Sequence, residues 1–171
     1  MDTENFTRAN SMDLKILCTG GTFDKVYYDA LSDYQIGEPQ VEWILNQAGV
    51  NFSYEIESIL KKDSLDITDA DRAHIVDCVG KQSCQRIVIT HGTDTMVETA
   101  QALKQFTDKT IVLVGAMQPA RFKDSDATYN VGFATAAVSI LPAGIYIAMN
   151  GQLFDADEVK KNRDAGRFEE K

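Results

Sequence analysis

Residues 86–95 read RIVITHGTDT, and this stretch decides the fold. Its first half, Arg86 to Thr90, is a continuous apolar run, the pattern of a central parallel strand buried on both faces. Its second half, His91 to Thr95, is polar, carries a glycine, and leads into a segment from Asp94 to about Phe106 that reads as a helix. A buried strand followed by a polar loop and a helix is the unit from which parallel sheets are built.

The unit recurs in both directions along the chain. Downstream, Thr110 to Gly115 (TIVLVG) and Gly144 to Met149 (GIYIAM) are further apolar strands, with an Ala-rich helix from Ala127 to Leu141 between them. Upstream, Asp13 to Cys18 (DLKILC) reads as a buried strand stopping at a tight turn, and Phe52 to Leu60 alternates loosely as another. Val41, Ile44, Leu45 and Ala48 have helical spacing within Glu38 to Ala48, with Pro39 in the first turn and Gly49 just past the end. Asp69 to Gly80 is a second such helix, packing through Ala73, Ile75, Val76 and Val79. Phe23 to Gly37 has neither period and reads as a loop, and Lys61 to Thr68 as a polar connection. Gly151 and Gln152 turn a short hairpin into Leu153-Phe154, before a highly charged tail from Asp155.

This alternation predicts an α/β fold: a three-layer, Rossmann-like (flavodoxin-like), mostly parallel sheet with helices on both faces and a β-hairpin near the C-terminal end. Residues 13–171 are expected to form one domain. Residues 1–12 are polar and patternless and read as a disordered or expression-derived segment, with Ser11-Met12 as a candidate junction. Ligands of such folds bind outside the carboxyl ends of the strands. The loops after Cys18, Leu60, Thr90 and Gly115 are therefore the ones to inspect.

Composition narrows the function class. A net charge of −9 opposes non-specific binding to nucleic acid or to anionic membranes. Met1 to Asn10 lacks an apolar leader core, and no apolar run is long enough to span a bilayer, so a cytoplasmic setting is expected. Cys18, Cys78 and Cys84 are odd in number and lack CxxC spacing, so no disulfide or zinc site is expected; Cys18 reads as a buried small hydrophobe. With two distant histidines, His74 and His91, and no HExxH, neither a metal nor a cofactor is implied.

Two segments carry candidate chemistry. Thr19-Gly20-Gly21-Thr22 follows a strand directly; its glycines let backbone approach a ligand, and its hydroxyls stand beside it. It is neither GxGxxG nor a P-loop. His91-Gly92-Thr93-Asp94-Thr95-Met96 follows the strongest strand and opens a helix, where free N–H groups suit a carboxylate or a developing oxyanion. Thr95 and Glu98 equally fit a helix capping box with no ligand at all, and residue pattern alone leaves these readings level. His91 reads as a hydrogen-bonded structural histidine, and His74 as a surface one.

In combination these segments resemble the N-terminal catalytic domain of the bacterial-type L-asparaginase (asparaginase/glutaminase) family. Cys18 to Thr22 looks like that family's first signature, and Thr90-His91-Gly92-Thr93-Asp94-Thr95-Met96-x-Glu98-Thr99 matches its second almost letter for letter. Asp63 to Thr68 resembles its substrate-carboxylate loop, and Asp33-Tyr34-Gln35-Ile36-Gly37 the mobile segment bearing its tyrosine. Val114 to Ala120, then Ser125-Asp126 and Asn130, match a further stretch, and Val159-Lys160-Lys161-Asn162 aligns with the lysine segment. The likeness runs in order from about Leu14 to Phe168.

The resemblance implies a threonine-nucleophile amidohydrolase acting on asparagine or a related small amide, without a cofactor. Thr22 would attack the carboxamide, served by Tyr34, while Thr93, Lys161 and Asp94 would form a second hydrogen-bonded set. Asp94 would also bind the substrate's α-ammonium and Ser64 its α-carboxylate. Gly21, Gly92, Thr93 and Ala116 would line the substrate, with amides near Thr93 and Ala116 as oxyanion donors. Three departures bear on this. Leu65 stands where many members carry a polar residue. Lys160 adjoins Lys161 and competes for the lysine role. Members usually continue into a smaller second domain, whereas this chain stops at Lys171. A non-catalytic amino-acid sensor and a half-enzyme needing a partner chain are the alternatives. The resemblance further implies a homodimer or homotetramer. The Ala127 to Leu141 helix (Val131, Phe133, Ala136, Val138, Ile140) would be either its interface or core.

Overall fold

Successive side chains of a strand point to opposite faces, so a strand apolar throughout must be covered on both. Arg86–Thr90 forms β5 and does this: Ile87 and Ile89 join one buried cluster, Val88 the other. The structure is a computed structural model describing residues 13–29 and 32–171; the N-terminal 1–12 reading lies outside the described residues.

The strands around β5 are β1 (Leu14–Gly20), β4 (Tyr54–Lys62), β6 (Thr110–Val114), β7 (Gly144–Met149) and β8 (Gln152–Asp155). They form a six-stranded sheet in the order β4-β1-β5-β6-β7-β8, parallel except for β8. Helices α1 (Val41–Ala48) and α4 (Ala127–Ile140) cover the face with Ile16, Val88 and Val112. Helices α2 (Asp69–Gly80) and α3 (Met96–Ala102) cover the face with Leu17, Ile89 and Leu113. The three-layer α/β reading therefore holds, as does the hairpin joining β7 to β8, turned at Asn150 (φ 50°) and Gly151 (φ 81°).

The parallel strands run second-first-third-fourth-fifth across the sheet, so the chain reverses direction of travel between β1 and β5. A crevice opens at such a switch point, beyond the carboxyl ends of the strands. The four predicted loops all lie at that end of the sheet.

Several local expectations are corrected. Phe23 to Gly37 is not an irregular loop: β2 (Lys25–Tyr28) and β3 (Asp33–Ile36) pair as an antiparallel ribbon after a single 3-10 turn. The charged tail is not featureless either: β9 (Val159–Asn162) and β10 (Arg167–Glu170) form a second hairpin, anchored by buried Val159 and Phe168. Helix α3 stops at Ala102 instead of reaching Phe106. In α2 the packing stripe is Ile75, Cys78 and Val79 with Val76 partly buried beside them; Ala73 is exposed, and the helix's capping box is Thr68 with Asp71. Cys18 is buried as expected, and burial pushes its thiol up to about 12. His74 is exposed.

Candidate active site

The loop after β1 is forced into shape by its glycines. Gly20 (φ 99°) and Gly21 (φ 76°) occupy left-handed backbone that other residues rarely adopt. Gly21 N donates to Lys62 O at 2.8 Å, which pins the loop to the end of β4. A Cβ on Gly21 would lie 2.6 Å from the Cα and N of Gly92. The first and second signature loops thus touch backbone to backbone, and Thr22 is delivered to their junction.

The same close fit continues on the other side of Gly92. A Cβ there would lie 2.6 Å from Ser64 Oγ. Ser64 is fully buried; its Oγ accepts from Asp94 N at 3.2 Å, and its carbonyl accepts from Thr95 Oγ1 at 2.7 Å. That second bond overturns the capping-box reading of the segment. Thr95 does sit at the N-cap of α3, but its hydroxyl spans to the β4 loop and no side-chain cap forms. The threonine ties loops together.

Lys161 completes this group. Its Nζ donates to Thr93 Oγ1 at 2.7 Å and to Asp94 Oδ1 at 2.5 Å, with the lysine side chain only 9% exposed. Strand parity selects it over its neighbour. Val159 and Lys161 share the inward face of β9, with Phe168 opposite Lys161 across the hairpin, while Lys160 points outward and is exposed.

His91 lies beneath these groups and not among them. It is wholly buried, its Nδ1 2.7 Å from Gly92 O and its Nε2 2.9 Å from Thr99 Oγ1. Burial pushes its pKa down to about 4, so the ring is neutral and serves as a structural strut, as its sequence context suggested. In the loop after β6, Asp126 accepts from the amides of Met117 (3.0 Å) and Gln118 (3.1 Å), and Asn130 donates to Gly115 O at 3.0 Å. These bonds hold buried Ala116 at the rim. Among the described residues, the amides of Thr93 and Ala116 donate to no acceptor.

Of the expected catalytic residues the fold joins Thr93, Asp94 and Lys161 by hydrogen bonds, but neither Thr22 nor Tyr34. Tyr34 stands apart. It sits on β3, 44% exposed, with its ring edge-on to Tyr27 (5.3 Å between centroids) and tilted against Phe122 (6.0 Å). Neither its hydroxyl nor Thr22 Oγ1 has a hydrogen-bond partner among the described residues. Leu65 is 64% exposed beside Ser64. Among the described residues, no three His, Cys, Asp or Glu side chains gather as a metal site requires.

Sequence reading missed Asp24, Gln40 and Arg121. Asp24 is 2% exposed and accepts from Gln40 N at 2.8 Å. Burial pushes its pKa up to about 7, against the pull of that bond and of Lys61. Gln40 is equally buried, and its Oε1 accepts from Arg121 Nε at 2.7 Å. None of the three stands in a motif, and only the tertiary contacts reveal the set.

The chain is similar to known proteins in sequence and in fold. The family model described as "Asparaginase, N-terminal" matches residues 13–168. A glutaminase-asparaginase of Acinetobacter glutaminasificans is 39% identical over 129 residues, covering 72% of this chain and 38% of its own length. A probable periplasmic L-asparaginase of Haemophilus influenzae is 34% identical over 174 residues, covering 90% of this chain and 48% of its own. The solved structure of the thermostable L-asparaginase from Thermococcus kodakarensis superposes with a TM-score of 0.78 at 28% identity, over 93% of this chain and 51% of that one. The chain thus spans about half the length, or less, of each.

Proposed function

Because the chain belongs to the asparaginase family through that family's N-terminal domain, we propose that it is an L-asparaginase-type amidohydrolase. It would convert the side-chain carboxamide of asparagine, or of a related small amide, to the acid and ammonia. Residues 13–171 would act as one domain, without a cofactor. The observation that carries the reading is Lys161 Nζ donating to both Thr93 Oγ1 and Asp94 Oδ1, inside a nest of three loops whose glycines leave no spare room.

In the proposed reaction Thr22 Oγ1 forms a bond to the carboxamide carbon and gives up its proton. The C–N bond then breaks, and the nitrogen leaves as ammonia with one proton added. Water next attacks the threonine ester, releasing the acid and restoring the hydroxyl. Tyr34 is proposed to relay the proton, its phenol oxygen taking the Thr22 proton as its own O–H proton passes to the departing nitrogen, once the β2–β3 ribbon brings it across. Lys161, held as a donor to two oxygens, would steady the negative charge that develops. The free amides of Thr93 and Ala116 would take the oxyanion, each worth on the order of 3 kcal/mol. Asp94 would meet the substrate's α-ammonium and Ser64 its α-carboxylate, with Gly21 and Gly92 forming the floor.

The test is ammonia release from L-asparagine, L-glutamine and D-asparagine beside a Thr22→Ala control. Release from the wild type that vanishes in the control is the expected result. A folded wild type that binds amino acids saturably in calorimetry yet releases nothing would instead make this a sensor domain.

We further propose a cytoplasmic homodimer or homotetramer acting on a small amide, with neither nucleic acid nor membrane as partner. The thiols of Cys18, Cys78 and Cys84 are all free, which suits a reducing compartment. Kinship does not carry the compartment, since the Haemophilus influenzae relative is named as periplasmic. On α4, Val131 and Val138 are core while Ile140 (80%) and Tyr129 (62%) stand exposed, which supports an interface there. Light scattering at micromolar concentration should show more than a monomer.

A further inference from the structure

The β2–β3 ribbon is short and mostly exposed, yet it carries the tyrosine the proposed reaction needs. Its entry and exit are closed by one residue. Asp24, immediately before β2, accepts Gly37 N on its carbonyl (2.9 Å) and Gln40 N on its carboxylate (2.8 Å), and both donors follow β3. Gln40 is 4% exposed with every polar group used: its Nε2 donates to Glu38 O at 2.6 Å and its Oε1 accepts from Arg121 Nε at 2.7 Å. Arg121 belongs to the loop after β6, the loop that presents Ala116. Two more contacts join the same pieces: Ala120 N donates to Phe23 O at 3.1 Å, and Phe122 packs on Tyr34. Asp24 and Gln40 are buried at the inner end of this chain and Arg121 is exposed at its outer end, so slippage at the base of the ribbon leaves the desolvated Gln40 Oε1 unpaired.

We propose that Arg121, acting through Gln40 and Asp24, is a positioning residue that couples the ribbon carrying Tyr34 to the loop carrying Ala116. The coupling sets where the proton acceptor meets Thr22 relative to where the oxyanion is bound. Arg121 touches neither substrate nor reacting atoms; it acts on the ribbon. This rests on the amidohydrolase reading for its catalytic consequence but not for its structural one, and the test separates them.

The structural arm is native-state hydrogen exchange of Arg121→Met. Amides of β2 and β3 should exchange faster than in wild type, while those of β5 and β6 stay unchanged. Equal exchange in β2 and β3 overturns the coupling. Uniform acceleration everywhere also overturns it, since Arg121 would then be an ordinary stability residue. The catalytic arm uses ammonia release from whichever of the three amides wild type turns over best. Arg121→Met should lower kcat by about tenfold to a hundredfold with little change in KM, the scale of a displaced catalytic group. In a Tyr34→Phe background the same substitution should cost nothing further, and Arg121→Lys should recover part of the loss. Additive losses in the double variant overturn the inference. Should wild type release no ammonia, the proposed function falls, and the exchange experiment still decides the coupling.

Discussion

Replacing Gly92 by alanine adds one methyl group at a tight junction of the site. That methyl would lie 2.6 Å from Ser64 Oγ, 2.7 Å from Ser64 Cβ and 3.2 Å from Ser64 N. Ordinary carbon contacts need about 3.5–4.0 Å, so Ser64 must retreat by roughly 1 Å. It has nowhere to go cheaply. Ser64 is 1% exposed, its oxygens hold Asp94 N and Thr95 Oγ1, and the preceding Asp63 is bound to Lys25 at 2.8 Å. Overpacking costs about 1–3 kcal/mol, and each hydrogen bond lost about 1 kcal/mol more. With one of those two bonds lost the sum is about 2–4 kcal/mol. For a chain of this size each kcal/mol lowers Tm by about 2–4 °C, so a fall of about 5–15 °C is expected in thermal unfolding. Gly132→Ala is the internal control: that glycine is in the interior of α4 with nothing within 4 Å of a Cβ, and alanine there should be neutral or stabilising by up to about 1 kcal/mol. If Ser64 also holds a substrate carboxylate, KM in the ammonia assay should rise at least about tenfold in Gly92→Ala, the equivalent of 1.4 kcal/mol. A Gly92→Ala protein melting within a degree of wild type, with KM unchanged, would refute the claim that the two loops are pressed together.

Two further outcomes follow from the same geometry. Lys161→Met should lower kcat by about a hundredfold or more while Lys160→Met stays within about twofold, because only Lys161 reaches Thr93 and Asp94. Equal effects in steady-state kinetics would remove Lys161 from its role. Asp24 gives a stability signature. Its pKa stands at about 7 against an ordinary 3.8, so between those values the folded protein keeps a proton that the unfolded chain has lost. Stability from this group is therefore complete below about pH 4 and declines as pH rises towards and through 7, by at most about 4 kcal/mol. Urea midpoints of wild type should fall relative to those of Asp24→Asn over that window, and parallel curves would show that Asp24 titrates normally.

What the sequence made legible is what burial makes periodic. Arg86 to Thr90 and Thr110 to Val114 are apolar on both faces because helices cover both, so their identity and bounds were readable to within a residue. The β2–β3 ribbon was not readable for the opposite reason. Tyr27, Tyr28 and Tyr34 are all substantially exposed, so neither face of the ribbon is buried deeply enough to impose alternation. The tail misled in a similar way, since four-residue strands rich in charge look like solvated coil. Thr95 and Glu98 matched a local capping rule, but a tertiary partner 31 residues away took the hydroxyl.

The lysine ambiguity shows where the missing information lay. Lys160 and Lys161 are chemically identical, and a motif read as letters cannot separate them. A strand can, because its two faces alternate. Val159 is fully buried in the cluster that covers β5 and β6, which turns the inward face of β9 towards the loop after β5 and places Lys161, two residues on, against Thr93 and Asp94. Phe168, opposite Lys161 on β10, holds that face down from the other side of the hairpin. The position of the charge is thus decided by two apolar residues that make no contact with Thr93 or Asp94 through any polar group. Once the tail is known to be a hairpin, parity with Val159 leaves one lysine and not two. The site is assembled in this way throughout, from short polar loops whose positions are inherited from the packing of the strands behind them.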